Sequence, residues 1–156
     1  MIALDTEFIR EKTFWPELAL IQIASDREAW LVDPLAFNRE ELKAFLESLN
    51  RPELTKIFHS AFGDQECLFT SCGVTLTPSF DTAEGAALLG MGDSIGLFEL
   101  IRVVLKIKIP KALTRTYWLK RPLNQEMKEY ALADVQYLVE IARQLMALSY
   151  LGDGEK

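Results

Sequence analysis

Cysteine and histidine are nearly absent from this chain of 156 residues, which holds two of the first and one of the second. Cys67 and Cys72 form no CxxC pair, so neither a disulfide framework nor a zinc site is expected, and a reduced, cytosolic (cytoplasmic) protein is the default. No apolar run approaches the roughly 18 residues that a membrane span needs, so no membrane partner is expected. Met1 leads straight into a strand-like segment, with no basic stretch and no cleavage site, so no signal peptide is expected. Repeats, linkers and low-complexity tracts are lacking as well. The length suits one domain able to bury a sizeable core, expected over residues 1–150, with residues 151–156 as a flexible tail.

Positive charge is scarce too. The net charge of −6 argues, taken alone, against a polyanionic partner. The distribution alters that. Six of the 17 basic residues, and none of the 23 acidic ones, lie between Lys106 and Arg121, which leaves 11 basic against 23 acidic residues elsewhere. One segment is therefore polarised against an acidic body. Carboxylates gathered around metal ions also make a chain look acidic when the ions go uncounted.

Three short runs rich in aliphatic and β-branched residues read as strands: Ile2 to Phe8, Leu18 to Ala24 and Ala29 to Val32. Asn38 with Glu41 three residues on has the form of a capping box, opening a helix through about Leu49. Thr55 to His59 reads as a strand and Ala61 to Cys72 as a helix stopped by Gly73. Ser79 to Thr82 ends a short strand, and helices follow over about Ala83 to Leu89, Ser94 to Leu105 and, as one long helix, Asn124 to Leu148. Three strands in quick succession suggest an antiparallel meander, and later strands alternating with helices suggest parallel additions. The expected class is α/β, a mixed central sheet flanked by helices.

Asp5 and Glu7 lie two apart in an apolar strand, so both carboxylates point to one face. Each raises the other's pKa unless a cation sits between them; a solvated strand end would satisfy the same pattern. Asp134 strengthens the metal reading. Met127, Ala131, Val135, Leu138, Ile141, Ala142 and Leu145 form an apolar stripe, and Tyr130 and Asp134 fall inside it, one turn apart. A carboxylate there needs a cation, a basic partner or an opening to water. Asp64, early in its helix, is explained as well by the helix dipole as by function. His59 suits either a general base or a structural position at a strand end.

Taken together, Leu4-Asp5-Thr6-Glu7-Phe8, then Phe58-His59 with Asp64, then Tyr130-Ala131-Leu132-Ala133-Asp134 resemble in order the three exonuclease motifs of the DEDD superfamily. The tyrosine four residues before the last aspartate resembles the tyrosine-type branch. Leu20-Ile21-Gln22, Asp33-Pro34, Asp81-Thr82, Arg115 to Leu119 and Arg121-Pro122-Leu123 are similar to ribonuclease D in particular. The resemblance spans residues 2 to 148 and implies an RNase H-like fold. It also implies hydrolysis of the terminal phosphodiester of RNA or single-stranded DNA from the 3′ end, with two divalent ions, Mg²⁺ or Mn²⁺. On that resemblance Asp5 bridges both ions, Glu7 and Asp134 complete one site, Asp64 supports the second, Tyr130 orients the attacking water and Phe8 packs against the terminal base.

Two departures stand out. Ribonuclease D proteins usually carry a helical C-terminal nucleic-acid-binding (HRDC) domain, and none follows residue 148, so a compact homologue or a truncated chain is expected. The family's usual serine and aspartate near Arg115 read here as Thr114 and Tyr117. In the basic segment Lys111 and Arg115 are the expected phosphate contacts and Tyr117 a base-stacking surface. Trp118 either stacks likewise or plugs the core. A catalytically inactive binding module of the same fold is the alternative, though intact Asp5, Glu7, Asp64, Asp134 and Tyr130 speak against it. An acidic interaction domain without nucleic acid would leave carboxylates on apolar faces unexplained. Oligomeric state is not legible.

Overall fold

The computed structural model describes residues 1–110 and 116–152. Five strands, β1 (Ile2–Ile9), β2 (Glu17–Ala24), β3 (Ala29–Val32), β4 (Lys56–Phe58) and β5 (Ser79–Asp81), form one sheet in the order β3-β2-β1-β4-β5. The first three pair antiparallel, and β4 and β5 join parallel to β1. This is the mixed sheet expected, in an RNase H-like arrangement. Among the described residues no helix is long and apolar enough to cross a membrane.

Among the described residues six α-helices accompany the sheet: α1 (Arg39–Ser48), α2 (Ala61–Cys72), α3 (Thr82–Leu88), α4 (Leu97–Leu105), α5 (Gln125–Gln136) and α6 (Leu138–Gly152). The capping box at Asn38 is present: its side chain accepts from Glu41 N while Glu41 accepts from Asn38 N. Gly73 ends α2 at φ 72°, the left-handed cap that favours glycine. On one face Leu4, Ile21, Ile23 and Phe58 pack with Leu42 and Leu46 of α1 and Leu68 of α2. On the other, Ala3, Ala24 and Ile57 pack with Val135, Leu138, Val139 and Ala142, and Ala19 and Leu20 with Met127 and Ala131.

Ala19 and Leu20 share a face because the β1–β2 register slips between Glu7 and Phe8, where Glu7 pairs with Leu20 and Phe8 with Leu18. Such a bulge bends a strand and re-aims the side chains beside it. It falls one residue past the carboxylate pair.

Two helices differ from the sequence expectation. The long helix breaks at Tyr137, whose N–H bonds Val135 O. The apolar stripe runs through the break, so periodicity conceals it. The two halves share β1, but α5 otherwise lies on β2 and β3, whereas α6 lies on β4 and packs against α3 and α4. α4 begins at Leu97 rather than Ser94. His59 Nε2 lies 2.8 Å from Ile95 O, which occupies that carbonyl and keeps the entry extended. At the C-terminal end, α6 takes in Leu151 and Gly152.

Candidate active site

The site forms where β1 outruns β4. β4 pairs with β1 only at Ile2 and Ala3, then turns away after Phe58. From Thr6 onward that edge of β1 is open, and an unpaired strand N–H needs an acceptor. Asp64 provides it. Its Oδ1 accepts from Thr6 N at 3.1 Å and from Thr6 Oγ1 at 2.5 Å. Asp64 therefore does not cap its own helix; it closes the open edge of a strand.

The start of α2 is fixed by Asp81 at the end of β5. Asp81 accepts from Ser60 N at 2.9 Å, from Ala61 N at 2.8 Å and from Ala83 N at 2.9 Å. One carboxylate thus caps α3 and also anchors the chain entering α2, where Ser60 sits at φ 60°, a costly backbone for a non-glycine residue.

Asp5 and Glu7 project from β1 toward α5, which carries Asp134. One oxygen from each of these three carboxylates lies within 4.8 Å of the others. Asp64 is outside that trio but close enough that its charge is the largest one raising Asp5. Among the described residues, no lysine or arginine pairs with any of the four. Burial first, and then mutual repulsion with Asp64, Asp134 and Glu7, holds Asp5 well above the usual carboxylate range. Burial and Asp134 push Glu7 up to about 8. Burial lifts Asp64 and Asp134 to about 6, with Thr6 pulling Asp64 back down. Partly buried like charges with no basic partner among the described residues suit a divalent cation.

Tyr130, one turn before Asp134, is half-buried. Its ring lies 6.2 Å from that of Phe98, edge to face, and 6.1 Å from that of Trp118. Burial, then the charges of Asp134, Glu7 and Asp5, raises its hydroxyl pKa, so it stays protonated at neutral pH. Tyr130 and Asp134 line a cleft of about 320 Å³ with Gly96, Leu97, Phe98 and Glu99 at the start of α4. The Phe8 ring reaches the beginning of α2, 3.6 Å from where a side chain on Gly63 would start.

Other candidates sit apart from the trio. His59 is bound on both nitrogens, to Thr82 Oγ1 and Ile95 O, each at 2.8 Å. A carbonyl oxygen only accepts, so Nε2 carries a hydrogen, and burial lowers the ring's pKa. It is a structural histidine. Trp118 is buried beside Ala19, Leu20 and Met127 and plugs the core. Tyr117 is exposed. Arg121 is not a free cation: it grips Asp33 with two bonds of 2.9 and 2.8 Å and also donates to Ala19 O. Lys111 and Arg115 lie outside the described residues. The sequence reading gave Gln22 no role, yet its side chain touches both Asp5 and Glu7. A lone amide in an otherwise apolar strand was the available signal.

Residues 1–148 match the 3′-5′ exonuclease family. The chain belongs to that family. This 3′-5′ exonuclease domain is 41% identical to ribonuclease D of Xanthomonas oryzae pv. oryzae over 155 residues, which cover 97% of this chain and 42% of that protein. It thus spans about two fifths of that relative's length. Among solved structures, Escherichia coli RNase D, described as an exoribonuclease involved in structured RNA processing, superposes with a TM-score of 0.85 at 38% identity, covering 94% of this chain and 38% of that one. NrnC of Brucella melitensis, in a structure bound to pGG, gives a TM-score of 0.83 at 28% identity, covering 97% of this chain and 74% of that one. The same NrnC with bound Mg²⁺ gives 0.80 at 27% identity, with the same coverage.

The raised carboxylates make a pH prediction for this domain in chelator. Free carboxylates in the unfolded chain titrate near pH 4. The folded state holds extra protons between there and the raised values of about 6 and about 8. Their stabilisation is complete below about pH 4 and is lost as pH rises through the folded values. The melting temperature in chelator is expected to fall by at least about 5 °C from pH 5 to pH 8. A calorimetric melt that stays flat over that range would show that burial and mutual repulsion do not raise these carboxylates.

Proposed function

We propose that this domain is a metal-dependent 3′→5′ exonuclease that removes nucleoside 5′-monophosphates from RNA or single-stranded DNA. The observation that carries the reading is the convergence of Asp5, Glu7 and Asp134 within 4.8 Å, with no basic partner among the described residues. A set of hard oxygen donors that repel one another suits Mg²⁺ or Mn²⁺. Asp5, Glu7 and Asp134 would hold one ion. Asp64 would support a second, with Asp5 shared between them. Bound there, two divalent ions supply Lewis acidity and charge neutralisation at a phosphate.

The chain's own residues supply the rest. Tyr130 keeps its proton and is held by Phe98 and Trp118. It is assigned to orienting the water that attacks the terminal phosphorus. That attack breaks the bond to the 3′ oxygen of the preceding nucleotide, which leaves with a proton. Phe8 is assigned to the terminal base and the exposed Tyr117 to a base further along the strand. Lys111 and Arg115 are proposed phosphate contacts from the sequence alone. With Arg121 committed to Asp33, they carry more of that role than the charge count suggested. Two buried, unpaired cysteines suit a reducing compartment such as the cytoplasm.

The test is digestion of 3′- and 5′-labelled single strands of RNA and DNA with Mn²⁺ or Mg²⁺. Label at the 3′ end should leave first, as a nucleoside 5′-monophosphate, and a 3′-phosphate should block the reaction. Cutting of a circular single strand, or full activity in excess chelator, would contradict the proposal. Retention of a labelled strand with no cleavage under any metal would favour an inactive binding module instead.

A further inference from the structure

We propose that Gln22 is a positioning residue of the carboxylate cluster, a neutral donor that fixes Asp5 and Glu7 in the arrangement a divalent cation needs. The inference rests on the metal-dependent reading above. Gln22 is fully buried in β2, directly opposite Asp5 in the β1–β2 register. Directly opposed residues of an antiparallel pair share a face, so its side chain rises on the same side as both carboxylates. Its Nε2 lies 3.3 Å from Asp5 Oδ2 and 3.1 Å from Glu7 Oε1. One amide nitrogen, with a hydrogen for each acid, spans two carboxylates that strand geometry places two residues apart.

The other end of the amide shows what this arrangement costs. Gln22 Oε1 is buried with no hydrogen-bond partner, alone among the buried side-chain nitrogens and oxygens of the described residues. Turning the amide over would leave its oxygen facing two carboxylates, so the orphan cannot be relieved that way. An unsatisfied buried acceptor is unfavourable and calls for an explanation. Here it is the consequence of keeping the nitrogen on the acids.

The chemistry of the alternatives explains why an amide serves. A lysine or arginine would neutralise the pair and occupy the place of a cation. An apolar side chain would fill the space and leave the two acids free to swing apart. A neutral donor orients them and leaves their charge available. Partners of this kind, one step removed from the metal, typically change metal affinity by about 10- to 100-fold.

The experiment is calorimetric titration of the full chain with Mn²⁺, wild type against Q22M and Q22N, with each protein also melted in chelator. Methionine matches glutamine in length and lacks the amide. Asparagine keeps the amide but is one methylene too short to reach both acids. Q22M is expected to bind Mn²⁺ about 10- to 100-fold more weakly, with Q22N in between and both melts in chelator near the wild type. Wild-type Mn²⁺ affinity in Q22M would overturn the assignment, as would a lowered melt with unchanged affinity, the mark of a merely structural glutamine. Should Q22M not fold, Q22N decides by the same criteria. If the wild type itself bound no Mn²⁺, the metal-dependent reading would fail first; if only the variants behaved like the wild type, the role of Gln22 alone would fail.

Discussion

Replacing Asp5 with asparagine is expected to abolish turnover, by at least about a thousandfold, while raising the melting temperature of the metal-free protein. Both effects have one source. Asp5 is the carboxylate on which the charges of Asp64, Asp134 and Glu7 all bear. Asparagine keeps the shape, and its oxygen can still accept from Gln22 Nε2. It removes the charge through which the two proposed ions would be shared. The loss corresponds to about 4 kcal/mol of transition-state stabilisation. In chelator the same substitution relieves repulsion, so the protein should melt higher than the wild type at pH 8, a gain in stability at the expense of function. The check pairs turnover of a labelled oligonucleotide with a melt in chelator. Near-normal turnover would remove Asp5 from the mechanism, and a lower melt would mean the cluster is not under electrostatic strain.

Tyr130→Phe is expected to slow the chemical step by about a hundredfold with Mn²⁺ affinity unchanged. The ring packs near those of Phe98 and Trp118, and phenylalanine preserves that packing. Only the hydroxyl is lost, the group whose pKa is raised by burial and then by the charges of Asp134, Glu7 and Asp5. Single-turnover rates at saturating substrate isolate the chemical step from binding, and calorimetry reports the metal. Weaker Mn²⁺ binding at an unchanged rate would reverse the assignment, making Tyr130 a support for the metal site.

The sequence discloses these residues unevenly, for physical reasons. Asp5 and Glu7 are legible because a strand has period two. Tyr130 and Asp134 are legible because an apolar helical stripe exposes any polar intruder. Both signals are local. The partnerships that arrange the site are not. Thr6 and Asp64 lie 58 residues apart, and nothing at either position announces that β4 will stop short and leave a strand edge to be closed. Asp81 caps its own helix as a local rule predicts, but its hold on Ser60 and Ala61 spans about 20 residues. The basic segment misleads in the same way: a charge count cannot see that Arg121 is taken by Asp33, 88 positions earlier. The break at Tyr137 is hidden because the apolar stripe keeps its period across it and neither glycine nor proline marks it.

The alanines beneath α5 have a consequence of a different kind. Ala3, Ala19 and Ala24 are fully buried where the sheet meets α5 and α6, with Ala131 and Val135 in the layer above. Small side chains let a helix ride close to a sheet, and an aspartate is a short lever. The reach of Asp134 toward Asp5 and Glu7 is therefore calibrated by methyl groups that carry no charge and lie buried beneath the helix. A core this dense transmits an added methylene as displacement rather than absorbing it. Enlarging one of these alanines would lift α5 and draw one carboxylate out of range of the other two. The geometry of the carboxylate cluster is thus set by the thickness of an apolar layer, and substitutions at silent-looking positions can detune the proposed reaction without altering any residue assigned to it.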